Sequence, residues 1–111
     1  MIEQALFSYI CNEVGMIYPS MIPAKVTYPA MVYSIVTESD QQSLQRACYT
    51  TTYRIQIDIY AKSYQALKQY KQRLKEALYR FEYFPHALNG YEGYESDTAL
   101  FRQTLDFKII L

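Results

Sequence analysis

Tryptophan is absent from this chain, histidine occurs once, glycine three times, and 11 acidic residues cancel 11 basic ones. Each scarcity removes a class of function. A neutral chain does not bind nucleic acid or membrane through its overall charge. His86 is alone and Cys11 and Cys48 lie far apart in sequence, so no metal-ligand spacing can be assembled. Neither a metal nor any other cofactor is expected. A Cys48–His86 nucleophile pair has no visible third group to orient the base, so no catalytic residue is assigned. Gly15, Gly90 and Gly93 are too scattered to cradle a phosphate. No apolar run approaches the roughly 20 residues that span a bilayer. The opening MIEQALFSYI carries an early acid and no basic cluster, unlike an export signal. Two reduced, part-buried thiols, in a protein made in the cytoplasm, are the corresponding expectation.

What is present forms a core. Half of the residues are hydrophobic, which excludes disorder, and the length suits one domain spanning residues 1–111. The 13 tyrosines are the oddity of the composition. A large ring with a polar tip suits half-buried positions, and also surfaces that are wet in one state and covered in another.

The chain is organised around residues 53–81, a strand running straight into a helix. In YRIQIDIY, Tyr53, Ile55, Ile57 and Ile59 alternate with Arg54, Gln56, Asp58 and Tyr60, the period of a strand with one buried face. Past Ala61 and Lys62 the period changes. Ser63 is placed to cap a helix whose stripe is Leu67, Tyr70, Leu74, Leu78 and Phe81. Residues 2–14 read as another amphipathic helix, with Ile2, Leu6, Tyr9 and Ile10 on one face and Gly15 at a left-handed C-terminal position. Pro19, Pro23 and Pro29 make residues 16–30 a non-helical connector, which Met16, Ile17, Met21 and Ile22 hold against the body. Residues 30–37 form a strand, apolar at nearly every position and so central or covered on both sides. Residues 38–47, with Glu38, Asp40, three glutamines and Arg46, read as a polar loop longer than a hairpin needs. The central strand then runs from Cys48 to Tyr60. Pro85 closes the second helical region, and Asn89-Gly90 and Gly93 supply turn chemistry, with room for a short extra strand near 86–92. Residues 98–110 alternate again: Phe101, Leu105, Phe107 and Ile109 face one way, interrupted by Gln103, and Arg102, Thr104, Asp106 and Lys108 the other. The expected fold is α+β, a mainly antiparallel sheet with helices packed on one face, in the order α-β-β-α-β.

Charge is segregated along this neutral chain. Lys62, Lys68, Lys71, Arg73, Lys75 and Arg80 face Glu76 alone between positions 62 and 80, while Glu92, Glu95 and Asp97 gather in the last loop. Lys68, Lys71 and Lys75 share one side of the helical stripe; Arg73 and Arg80 take the other. Three uses are open: a solvated face whose cations also complement the helix C-terminus, a phosphate-binding face, or a dock for an acidic loop of a neighbouring copy. Glu38, Asp40 and Arg46 on the polar loop, with Lys68, Lys71 and Lys75 on the helix, are the candidate interface residues. The acidic trio near residue 95 reads as a solvated turn, not a cation site.

Taken in order, these landmarks resemble a family. YPSMIPAKVTYPAMVYSIV after an N-terminal helix, YRIQIDIYAKSYQALKQYKQRLKEAL, and YEGYESDTALFRQTLDFKI follow the pattern of the tail completion, or tail terminator and head-to-tail joining, proteins of long-tailed bacteriophages and prophages. The tyrosine richness and the glutamine-rich stretch at 38–47 depart from that pattern. The resemblance implies a non-enzymatic virion protein that forms a ring, typically a hexamer, at the head-proximal end of the tail. Such a ring terminates tube growth, meets the tail tube protein and the head connector, and leaves a channel through which DNA only passes; no membrane is involved. The alternative is a small α+β module that contacts nucleic acid through its basic 63–81 helix. A small hydrolase built on Cys48 and His86 stands third.

Overall fold

Ile55, Ile57 and Ile59 are buried, while Arg54, Gln56, Asp58 and Tyr60 between them keep contact with solvent. The alternation in the sequence is thus the two-sidedness of a real strand. The computed structural model describes residues 2–23, 26–42 and 49–111. They form α1 (Ile2–Glu13), β1 (Ile17–Pro19), β2 (Ala30–Gln42), β3 (Tyr49–Ala61), α2 (Tyr64–Tyr79), β4 (His86–Glu95) and β5 (Leu100–Ile110). The sheet order is β1-β2-β3-β5-β4, and only the β1–β2 pair is parallel. The class is the expected one, α+β with a mainly antiparallel sheet and β3 at its centre. Two strands join the expected order, the short β1 and the full-length β4.

Helix α2 begins where the sequence suggests. Ser63 is extended, and its Oγ accepts the Ala66 N–H at 3.2 Å, satisfying one orphan donor of the first turn. Its buried stripe, Leu67, Leu74 and Leu78, meets Ile55, Ile57, Ile59, Leu105, Phe107 and Ile109 of the sheet in one apolar cluster, with Leu6 and Ile10 of α1. Both helices therefore cover the same face. They are also tied to each other: the Tyr9 hydroxyl donates to Ala77 O at 2.6 Å, and Arg73 donates to Val14 O at 3.0 Å.

Three local expectations are corrected and a fourth is extended. Gly15 is not left-handed. A Cβ there would meet the Tyr70 hydroxyl, so close approach of that side chain, not backbone freedom, favours glycine. Secondly, residues 38–42 are not loop: β2 runs on to Gln42, paired with β3 from Thr37↔Arg54 to Gln42↔Tyr49. Polar side chains are compatible with a strand that projects beyond the helices, because neither face there needs to be apolar. Arg46 and Cys48 fall outside the described residues, and with them any Cys48–His86 pair; Cys11, on α1, is a free, half-buried thiol.

Thirdly, Asn89-Gly90 and Gly93 are not turns but lie inside β4. A Cβ on Gly90 would crowd Gln103 Nε2 and Leu105 Cδ2, both at 3.1 Å, and one on Gly93 would meet the Arg102 guanidinium at 3.0 Å. Glycine lets β5 side chains lean across β4. The actual turn follows at residues 96–99 and uses Ala99 at φ 56°; Ala87, at φ 53°, marks the irregularity between His86 and Asn89. Lastly, the connector contributes a strand, with Ile17↔Met31 to Pro19↔Tyr33 in register. Ala30 and Val32, on the sheet face without helices, are buried, and Met21, Ile22 and Tyr28 of the connector line the same hollow as Val32. The strand at 30–33 is covered on both sides, as its apolar run implies.

Gln103, the polar interruption of β5, is fully buried on the helix side. Its Nε2 donates to Tyr91 O at 3.1 Å and to Thr104 O at 3.2 Å, fastening β4 to β5, and its Oε1 has no partner among the described residues.

Candidate assembly surface

The molecule is long, 53 × 25 × 23 Å, because β2 and β3 extend past the helices as an arm. The faces of that arm are decided at one residue. Ile35 pairs with Ile55 and Thr37 with Arg54, so Val36 is an extra residue, a β-bulge. Strict alternation would have turned Glu38 and Asp40 away from the helix side. The bulge inverts the phase, and Glu38↔Tyr53 and Asp40↔Thr51 bring both acids onto it. Thr51 Oγ1 donates to Asp40 at 2.7 Å, and Glu38 beside Tyr53 helps raise that phenol above its ordinary pKa, behind desolvation.

The basic helix is less free than its composition suggests. Lys68 forms an ion pair with Glu92 of β4, and Tyr64 donates to the same carboxylate at 3.1 Å. The hydrogen bond from Lys68, with lesser help from Tyr64 and the charge of Lys71, holds the Glu92 carboxyl below its ordinary pKa. Arg80 pairs with Glu13 at 3.8 Å, Arg73 lies over Tyr70, and Lys62 lies over Tyr28. Among the described residues that leaves Lys71 and Lys75 of the basic set without an ion pair or ring partner. Both lie on the side of α2 that overhangs β4. Of the six candidate interface residues, then, Glu38 and Asp40 stand on the arm, Lys71 and Lys75 on α2, Lys68 is engaged within the chain, and Arg46 lies outside the described residues. Glu95 is likewise engaged, near Arg102 and Thr98, so the acidic trio does not converge.

The sheet face opposite the helices is a polar lattice. Arg54 grips Asp106 with two nitrogens, at 3.1 and 2.7 Å; Thr104 donates to Asp58; and Gln56 donates to the Tyr91 hydroxyl at 2.6 Å. Desolvation, then Asp58 and Glu95, push the Tyr60 phenol above its ordinary pKa. Positive and negative groups are interleaved, with Arg54 and Asp106 satisfying each other, while the buried Arg102 Nε has no hydrogen-bond partner among the described residues. In each pair formed here, Arg54–Asp106, Thr104–Asp58 and Arg102–Glu95, the partners come from different strands. Sequence supplied the polar alternation but not the pairing.

This architecture has a counterpart. It is in a gene transfer agent virion. A chain of the "Virion of native gene transfer agent (GTA) particle" shares the fold with a TM-score of 0.58 over 98% of this chain and 90% of that one, at 12% sequence identity. No family model matches the sequence, and no curated protein does. The likeness is one of fold, and it runs the length of both chains.

Proposed function

We propose that this chain is a structural, non-enzymatic protein of a tailed-phage-type virion: a ring at the head-proximal end of the tail that ends tube growth and joins tail to head. Its partners are other copies of itself, the tail tube protein and the head connector, and DNA passes through without being held. The observation that carries the reading is the full-length fold likeness to a chain of a gene transfer agent virion. The ordered landmarks of the tail-completion pattern support it. So does an elongated subunit with an arm and opposed charge on separate surfaces, since a ring needs two different patches that fit each other.

The nucleic-acid reading of the 63–81 helix loses support, because most of its cations already have partners within the chain. Deleting the gene from a producing phage or prophage tests the proposal. Electron microscopy should then show tails of abnormal length, or normal tails without heads, and supplying the gene in trans should restore joined particles. Joined, infectious particles of normal tail length without the gene would refute it.

A further inference from the structure

The sheet has two different open edges, and the charges beside them match. On one side β1 covers the outer edge of β2 only at Met31–Tyr33, with Ser20 N–H reaching Tyr33 O. From Ser34 to Gln42 no strand pairs with that edge among the described residues, a stretch of about 30 Å at ~3.4 Å per residue. On the other side β4 pairs with β5 alone among the described residues, leaving its outer edge open from His86 to Glu95. Unpaired strand edges are templates for pairing with another chain.

We infer that these two edges join successive copies of the chain, with the β2 arm of one copy laid along β4 of the next and Glu38 and Asp40 set against Lys71 and Lys75. The inference rests on the ring reading and names the contact that builds the ring. Three features of the geometry carry it. Strand direction is the first. β2 opposes β3, β3 opposes β5 and β5 opposes β4, so β2 and β4 run in opposite senses. Copies placed side by side in one orientation therefore meet through an antiparallel ladder.

The second feature is the shared face. The Val36 bulge puts Glu38 and Asp40 on the helix side of the arm, and Lys71 and Lys75 overhang β4 on that same side. A sheet continued from copy to copy keeps the faces, so acids and bases meet.

Spacing is the third. Tyr64 packs on Phe101, level with Ala61, and Lys68 meets Glu92, which lies level with Ile59 through Gln103; α2 thus descends as β2 does. From Lys71 to Lys75 is a rise of about 6 Å at ~1.5 Å per residue, and Glu38 to Asp40 is about 6.8 Å along a strand. Glu38 sits at the level of Tyr53, six residues or about 20 Å below Ile59, and Lys71 lies about 4.5 Å below that same level along α2, so the next copy must be displaced by about 16 Å along the strands. Such a stagger also carries the arm clear of β1, which blocks level approach. Strands inclined to the axis are what closure of a sheet into a barrel requires.

Exposed ion pairs contribute little to affinity, so the ladder supplies cohesion and the charges choose register and partner. Two variants test this, Glu38→Lys/Asp40→Lys and Lys71→Glu/Lys75→Glu, each checked for an unchanged melting curve. Self-association of the full chain is measured by light scattering and sedimentation at low salt up to about 1 mM. Wild type should associate. Each variant alone opposes like charges at every contact and should associate at least about tenfold more weakly. An equimolar mixture restores opposite charge at every alternating contact, so association should return to within about threefold of wild type.

A monomeric wild type, variants that associate as well as wild type, or a mixture that does not recover would each overturn the inference. None of these outcomes touches the virion reading, which fails only if joined particles form without the gene.

Discussion

Replacing Ile57 by alanine probes the centre of the fold. Ile57 is 0% exposed, flanked across the sheet by Tyr33 and Leu105, and roofed by the helices. The substitution removes three carbons, about 2.4 kcal/mol of transfer free energy at ~0.8 kcal/mol per buried CH₂. If the walls do not collapse, the cavity adds up to about 2 kcal/mol at ~24 cal/mol per Å³. The expected loss is therefore about 2.5–4.5 kcal/mol, a large part of the ~5–15 kcal/mol typical of a domain. At roughly 4–6 °C per kcal/mol for a chain of this size, Tm should fall by about 10–25 °C. Urea unfolding followed by circular dichroism gives the free energy, with an unchanged m-value as the check that both states are intact. The neighbouring residue is the control. Asp58 points to the opposite face, where it accepts from the buried Thr104 hydroxyl. Asp58→Ala leaves that hydroxyl unpartnered and should cost about 1–2 kcal/mol. A loss below about 1 kcal/mol for Ile57→Ala, or a larger one for Asp58→Ala, would refute the two-sided reading of β3.

Three further outcomes are expected. Gly15→Ala puts a Cβ against the Tyr70 hydroxyl and should destabilise by about 1–3 kcal/mol; adding Tyr70→Phe should recover part of that in thermal melts, and no recovery would place the strain elsewhere. Ala99→Gly relieves a left-handed backbone at φ 56° in the β4–β5 turn and should raise stability by about 0.5–1 kcal/mol; a lower Tm would contradict it. Glu92 has a lowered pKa, so its contribution is present above the ordinary glutamate pKa of about 4.3 and is lost as pH falls through the folded-state pKa. The Tm gap between wild type and Glu92→Gln should accordingly be largest near neutral pH and close in acid, and a gap that widened in acid would reverse the assignment.

What was legible in the sequence is what local periodicity carries. The YRIQIDIY alternation, the Ser63 cap and the Leu67–Leu74–Leu78 stripe each depend on neighbours within a turn or two, where side-chain direction follows from backbone geometry. They gave the central strand, the second helix and the α+β class. They also gave the separation of acidic and basic residues on a neutral chain.

Tertiary structure decided the rest, because a strand edge, a bulge and an ion pair are properties of pairing between distant segments. Glycines at 90 and 93 and an Asn-Gly step read as turns until β5 lies beside them and its side chains need the space. The polar run at 38–42 reads as loop until β3 pairs with it. Above all, Val36 carries no local mark of a bulge. Only the register of β2 on β3, fixed by Ile35 on Ile55 and Tyr33 on Ile57 in the core, forces the extra residue out and turns Glu38 and Asp40 to the helix side. Composition placed those acids on the chain; the packing of a core some distance away chose the face they occupy.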